Sequence, residues 1–154
     1  MSIKSSASLW LGKRIRKSLL NENEHAQALQ NEVLKNLLHT ANNTAFGADH
    51  KFNSISNHTE WTETVPVRDY EELVPYMERA KAGELSVLWP GMPKYFCKTS
   101  GTTSGTKFIP LTQASLPNHI GSARNALLNY IGETGQSKFV AGKMIFLQGS
   151  PELN

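Results

Sequence analysis

The stretch "FCKTSGTTSGTKFIPLT", Phe96 to Thr112, places glycines and hydroxyl side chains between two short apolar runs, with Lys98 and Lys107 on the flanks. Tyr95 to Lys98 reads as a strand and Phe108 to Leu111 as another, so the polar residues form a loop between strands. Glycines let successive backbone amides turn toward an anion, hydroxyls add donors, and Lys107 supplies a point charge. By composition alone the same residues also make an ordinary polar turn. Two familiar phosphate motifs do not fit. Lys107 follows Thr106 rather than a glycine, and "FIPL" opens a helix poorly, which excludes the P-loop. Gly101 and Gly105 stand four apart with no helix directly behind them, which excludes the dinucleotide fingerprint.

Upstream of the loop the chain reads as helical. Asn21 and Glu24 have capping-box spacing, followed by a stripe of Ala26, Leu29, Val33 and Leu37, widened by Leu34 and Leu38. This helix is expected to end near Thr40. Asn53 to Glu63 is polar and reads as loop, and Thr64 to Val67 as extended chain before and around Pro66. Asp69 and Glu72 form a second capping box, opening a helix that contains Pro75 and stops at Gly83. Downstream, Thr112 can cap a third helix with Pro117 in its first turn and Ile120, Ala123, Leu127 and Tyr130 on one face. Lys143 to Gly149 is an apolar run of strand length. The expected class is mixed α/β: helices, then strand, loop, strand, helix, strand.

At 154 residues, with 39% hydrophobic and 19% charged residues, the chain has the composition of one globular domain with a real core. The net charge of +3 suits anionic ligands, and equally serves solubility. A single cysteine, Cys97, cannot pair within the chain, so a reducing, cytoplasmic setting is expected, with Cys97 as a small core residue. No run approaches the roughly 18 apolar residues of a membrane span. Residues 1–20 are cationic and Ser-rich, as in targeting leaders, but Leu9, Trp10, Ile15, Leu19 and Leu20 also suit an amphipathic helix, the reading adopted; this helix is not a separate domain.

The loop "TSGTTSGTK" resembles the signature loop of the acyl-adenylate-forming superfamily, usually Ser-Gly-Thr-Thr-Gly, any residue, then Pro-Lys. Here Ser104 takes the second glycine's place, Gly105 follows it, and Thr106 replaces the proline. Those departures are similar to the auxin-responsive acyl acid amido synthetases, plant-type and bacterial, rather than to acyl-CoA ligases. "VPVRDYEELVPYMERAKAGE", "NTAFGADHKF" and "KTSGTTSGTKFIPLT" all resemble that family, so the likeness covers most of the chain.

The resemblance implies the N-terminal part of an adenylating large domain, helices packed on a partial sheet, spanning 1–154 and truncated. It implies that Ser100, Gly101, Thr102, Thr103, Ser104 and Gly105 wrap the β- and γ-phosphates of ATP, with Lys107 as a supporting charge and Mg²⁺ bridging the phosphates. The substrates implied are a small carboxylic acid and an amino acid, with neither nucleic acid nor membrane as partner. The adenine, ribose and metal ligands are expected beyond Asn154, which would leave this chain alone inactive.

Other residues carry weaker readings. His25, His39, His50 and His58 read as surface histidines, and no metal site is expected. His119, just past the loop at the start of a helix, is a candidate for the acyl pocket. Arg124 reads as a solvated or salt-bridged arginine. Two rival functions remain: an adenylate-forming acyl-CoA ligase, and a non-catalytic nucleic-acid or membrane-surface module built on Lys13, Arg14, Arg16 and Lys17.

Overall fold

The computed structural model describes residues 2–99 and 105–143. Six α-helices are described: α1 (Ile3–Glu24), α2 (Ala26–Ala41), α3 (Ala45–Asp49), α4 (His58–Thr64), α5 (Tyr70–Lys81) and α6 (Leu116–Thr134). Strands β1 (Tyr95–Lys98) and β2 (Phe108–Leu111) pair antiparallel, Tyr95 opposite Leu111 and Lys98 opposite Phe108. Short 3₁₀ helices occupy Phe52–Ser54 and Lys138–Ala141. The class is therefore mixed α/β, helix-rich with a small sheet. The expected strand at 143–149 falls outside the described residues except for Lys143, which is not in a strand.

The chain divides into two compact units, His25–His119 and a second that joins Met1–Glu24 to Ile120–Asn154. In the first, Leu38, Ala41, Phe52, Ile55 and Val65 form a buried cluster covered by Leu34, Phe46, Trp61 and Trp89. Full burial of a Leu, Ile, Val or Phe side chain contributes about 1.5–3 kcal/mol. The core face of α2 is thus Leu34, Leu38 and Ala41. Leu29, Val33 and Leu37, expected to face inward, are exposed. The apolar stripe is wider than the contact it makes, and the core takes its one edge.

The second unit rests on a close crossing of α1 and α6. A Cβ on Gly12 would lie 2.7 Å from the Leu128 carbonyl oxygen and 2.9 Å from the Gly132 amide nitrogen. Gly132 faces the Gly12 carbonyl in return. Around this contact Leu128 and Ile131 are buried, Arg16 pairs with Glu133, and the buried Ser5 hydroxyl donates to the Ser137 carbonyl at 3.2 Å. The face Ile120, Ala123, Leu127 and Tyr130 is exposed instead. The buried positions sit one residue along, about 100° around the helix, because glycine backbones rather than large side chains make the crossing.

Three features differ from expectation for local reasons. α1 continues helically through Asn21 to Glu24, so the Asn21 capping box is not used. The polar segment expected as loop from Asn53 to Glu63 holds all of α4 but its last residue, Thr64, which was expected to be extended. The helix is capped by Asn57, whose Oδ1 accepts the Glu60 amide at 3.0 Å. Glu60 reaches back to the Ser56 amide at 2.7 Å, which holds its carboxyl below the usual range. That helix has little apolar periodicity, so only its caps announce it. Finally, Cys97 is exposed rather than in the core. A two-stranded sheet buries at most one face, and alternation gives the inner side to Phe96.

Candidate functional site

The hairpin β1–β2 closes the glycine-rich loop at its neck. The Thr99 amide donates to the Lys107 carbonyl at 2.9 Å, extending the ladder one step past Lys98 and Phe108. Gly105 lies beside that neck with φ +81°, a left-handed conformation that costs a side-chain-bearing residue about 1–2 kcal/mol. Among the described residues nothing lies within 4 Å of where its Cβ would be, and the backbone angle itself calls for glycine. Ser100, Gly101, Thr102, Thr103 and Ser104 fall outside the described residues.

The neck is tied to α5. Asp69 Oδ1 accepts the Glu72 amide at 3.0 Å, and Glu72 Oε2 accepts the Asp69 amide at 3.1 Å, a complete capping box. It makes Tyr70 the first helical residue. The Tyr70 hydroxyl accepts the Phe108 amide at 2.8 Å, and its ring lies 5.3 Å from the Lys107 ammonium. Lys81, at the other end of α5, sits 4.4 Å from the Phe108 ring and pairs with Glu78 at 2.8 Å. Lys107, by contrast, has no carboxylate partner among the described residues.

α5 holds its own end firmly. The Gly83 amide bonds the Ala80 carbonyl and the Glu84 amide bonds the Arg79 carbonyl, with Gly83 at φ +96°, a Schellman closure. The Arg79 guanidinium grips Glu84 at 2.8 and 2.5 Å; its hydrogen bond pulls the Glu84 carboxyl below its ordinary value. α5 tolerates Pro75 in its interior without ending there.

A second polar cluster braces the same unit. His50, expected at the surface, is buried: its ring stacks on Phe46 at 4.0 Å, and Nδ1 donates to the Phe46 carbonyl at 2.8 Å. A carbonyl only accepts, so Nε2 is left as the acceptor for Arg68 at 3.1 Å. Nearby the Tyr76 phenol donates to Asp49 at 2.7 Å, and partial burial, helped by that bond, raises its pKa. His25, His39 and His58 are exposed as expected. Among the described residues no three His, Cys, Asp or Glu side chains gather as a metal site.

Beyond the far end of β2 the Thr112 and Ser115 hydroxyls each accept the other's amide at 3.1 Å, leading into α6 with Pro117 in its first turn. A cavity of about 300 Å³ opens there, lined by Leu37, Val87, Trp89, Pro110, Ser115 and Asn118 among others. His119 is exposed in the same turn and does not line it. The structure therefore brings Gly105 and Lys107 together at the neck, while β2 separates them from His119. Arg124 is exposed and bonds its neighbour Asn125 at 3.3 Å. Tyr70 is the residue the sequence reading missed; its only sequence signal is its place immediately after the capping aspartate.

The family model for the GH3 family N-terminal domain matches residues 15–152, which spans the α5 cap, the hairpin and the glycine-rich loop. No curated protein matches the chain. No helix among the described residues is long and apolar enough to cross a membrane. With nine-tenths of the chain inside that match, the protein belongs to the GH3 family, the auxin-responsive acyl acid amido synthetases.

Proposed function

We propose that this chain, 1–154, is the N-terminal segment of the adenylating large domain of an ATP-dependent acyl acid amido synthetase and supplies its triphosphate-binding loop. The observation that carries this reading is the hairpin neck. Residues 99 and 107 are hydrogen-bonded across the base of a Ser/Thr/Gly loop, with Lys107 free of any carboxylate partner among the described residues, inside the family match. In the reading, Ser100, Gly101, Thr102, Thr103, Ser104 and Gly105 donate to the β- and γ-phosphates, and Lys107 offsets part of their charge.

A carboxylate oxygen of the acid then attacks the α-phosphorus as the bond to pyrophosphate breaks, giving an acyl-adenylate. An amino-acid amine attacks the acyl carbon, loses a proton and expels AMP, leaving an amide. Mg²⁺ carried by the phosphates would spread the charge of the departing pyrophosphate. The donors on this chain are hydroxyls, amides and an ammonium, which suit the phosphate oxygens rather than the metal. We place the acid on the side of His119, near the apolar cavity at the far end of β2, about 13 Å along the strand from the neck. The GH3 match and the Ser104–Gly105 order favour an amine over coenzyme A as acceptor. Pairing of Arg16 with Glu133 removes one charge from the basic cluster that a nucleic-acid module needs.

The test is acid-dependent exchange of pyrophosphate into ATP, followed by AMP release on adding amino acids, in the intact protein. Exchange with carboxylic acids and AMP release that depends on the amine are expected. AMP release driven by coenzyme A but by no amino acid would contradict the reading.

A further inference from the structure

We infer that Tyr70 is a positioning residue for ATP binding: it sets the Lys107 ammonium beside the neck of the phosphate loop. The inference rests on the phosphate-loop reading above. Its own support is the double attachment of one side chain to two consecutive residues. The Tyr70 hydroxyl takes the Phe108 amide at 2.8 Å, and the ring faces the Lys107 ammonium at 5.3 Å. A second contact from the same hydroxyl to the Phe108 carbonyl, at 3.5 Å, keeps it on the hairpin.

The chemistry explains why such an attachment is useful. A lysine side chain loses rotamer entropy on binding an anion, and a free surface lysine starts from many rotamers. A carboxylate partner would order it but also neutralise it. An aromatic face orders it and leaves its charge and N–H donors available to phosphate oxygens. Lys81, which is paired with Glu78, shows the contrasting case within the same unit. Tyr70 is itself placed by the Asp69–Glu72 capping box, so the line of placement runs from helix cap to ring to ammonium.

Four variants of the intact protein decide it: Tyr70→Phe, Tyr70→Leu, Lys107→Met and the Tyr70→Leu/Lys107→Met pair, with Thr102→Val as the loop control. The readouts are dissociation constants for MgATP and AMP by calorimetry, and the ring-current shift of the Lys107 side-chain methylenes by NMR. Tyr70→Leu should weaken MgATP roughly three- to tenfold, leave AMP unchanged and abolish the shift. Tyr70→Phe keeps the ring and should keep the shift, losing about threefold at most. In the Lys107→Met background Tyr70→Leu should add little further loss.

Should Tyr70→Leu fail to fold, the same claim stands or falls on Tyr70→Phe and the wild-type shift. A wild-type lysine without a ring-current shift would overturn the assignment. Unchanged MgATP affinity in Tyr70→Leu, with a loss in Thr102→Val, would overturn it while leaving the loop reading intact. Unchanged affinity in Tyr70→Leu, Thr102→Val and Lys107→Met alike would bring down the loop reading and Tyr70's role together.

Discussion

Gly12 and Gly132 are needed for what they lack, whereas Gly105 is needed for how it bends. At the α1–α6 crossing a Cβ would strike backbone atoms of the facing helix, which cannot move aside. At the loop neck a Cβ would meet no described residue within 4 Å, but the backbone stands at φ +81°. The first kind of glycine holds the fold together. The second stands at the neck of the loop proposed to bind ATP, and on that proposal the two should separate cleanly in stability and binding measurements.

The largest effect is expected from Gly132→Val, which forces apart a backbone contact and should cost about 3 kcal/mol or more in chemical denaturation. A loss under about 1 kcal/mol would mean that the helices can slide, and the comparison would fail on its steric side. His50→Ala comes next. It removes the Phe46 stack and leaves Arg68 without its acceptor, for an expected cost of about 2 kcal/mol, whereas His50→Asn should recover part of it. Asp69→Ala breaks the cap that seats Tyr70. It should cost about 1 kcal/mol and, unlike Gly132→Val in its folded fraction, should also weaken MgATP.

Gly105→Ala inverts the pattern. Its stability cost should be about 1 kcal/mol, the lower end of what the left-handed backbone imposes on a side chain, but MgATP affinity should fall several-fold because the loop leaves the neck at a different angle. The smallest effect concerns the Arg79–Glu84 pair behind α5. Glu84's carboxyl is held low by its hydrogen bond to Arg79, so the contribution is present above the ordinary carboxylate value of 4.5. It is lost as pH falls below that value. Glu84→Gln should flatten the acid side of the stability profile slightly, leaving the neutral-pH ligand affinity untouched.

What the sequence disclosed follows the same division. The Asp69–Glu72 cap, the Gly83 stop, both strands of the hairpin and the Thr112 turn rest on chemistry within a few residues, and all are where the residues put them. The face of α6 was misplaced by one position, and on α2 only Leu34 and Leu38 of the expected stripe reach the core, because a broad apolar stripe allows more than one packing edge. Nothing near Gly12 announces Gly132; their contact exists only once two helices distant in sequence cross. His50 sits in a polar stretch, where neither its stack on Phe46 nor the approach of Arg68, eighteen residues later, is announced. In the candidate site, Gly105 and Lys107 were legible from the loop itself. Tyr70 was not, because its role depends on where α5 ends up against the hairpin.

The most direct test of the central claim compares MgATP and AMP binding to the intact protein with binding to its Thr102→Val/Lys107→Met variant. If the loop holds the β- and γ-phosphates, the double variant loses at least about tenfold in MgATP affinity, 1.4 kcal/mol, while AMP affinity stays the same. Equal losses for both nucleotides, or no loss for either, would contradict it.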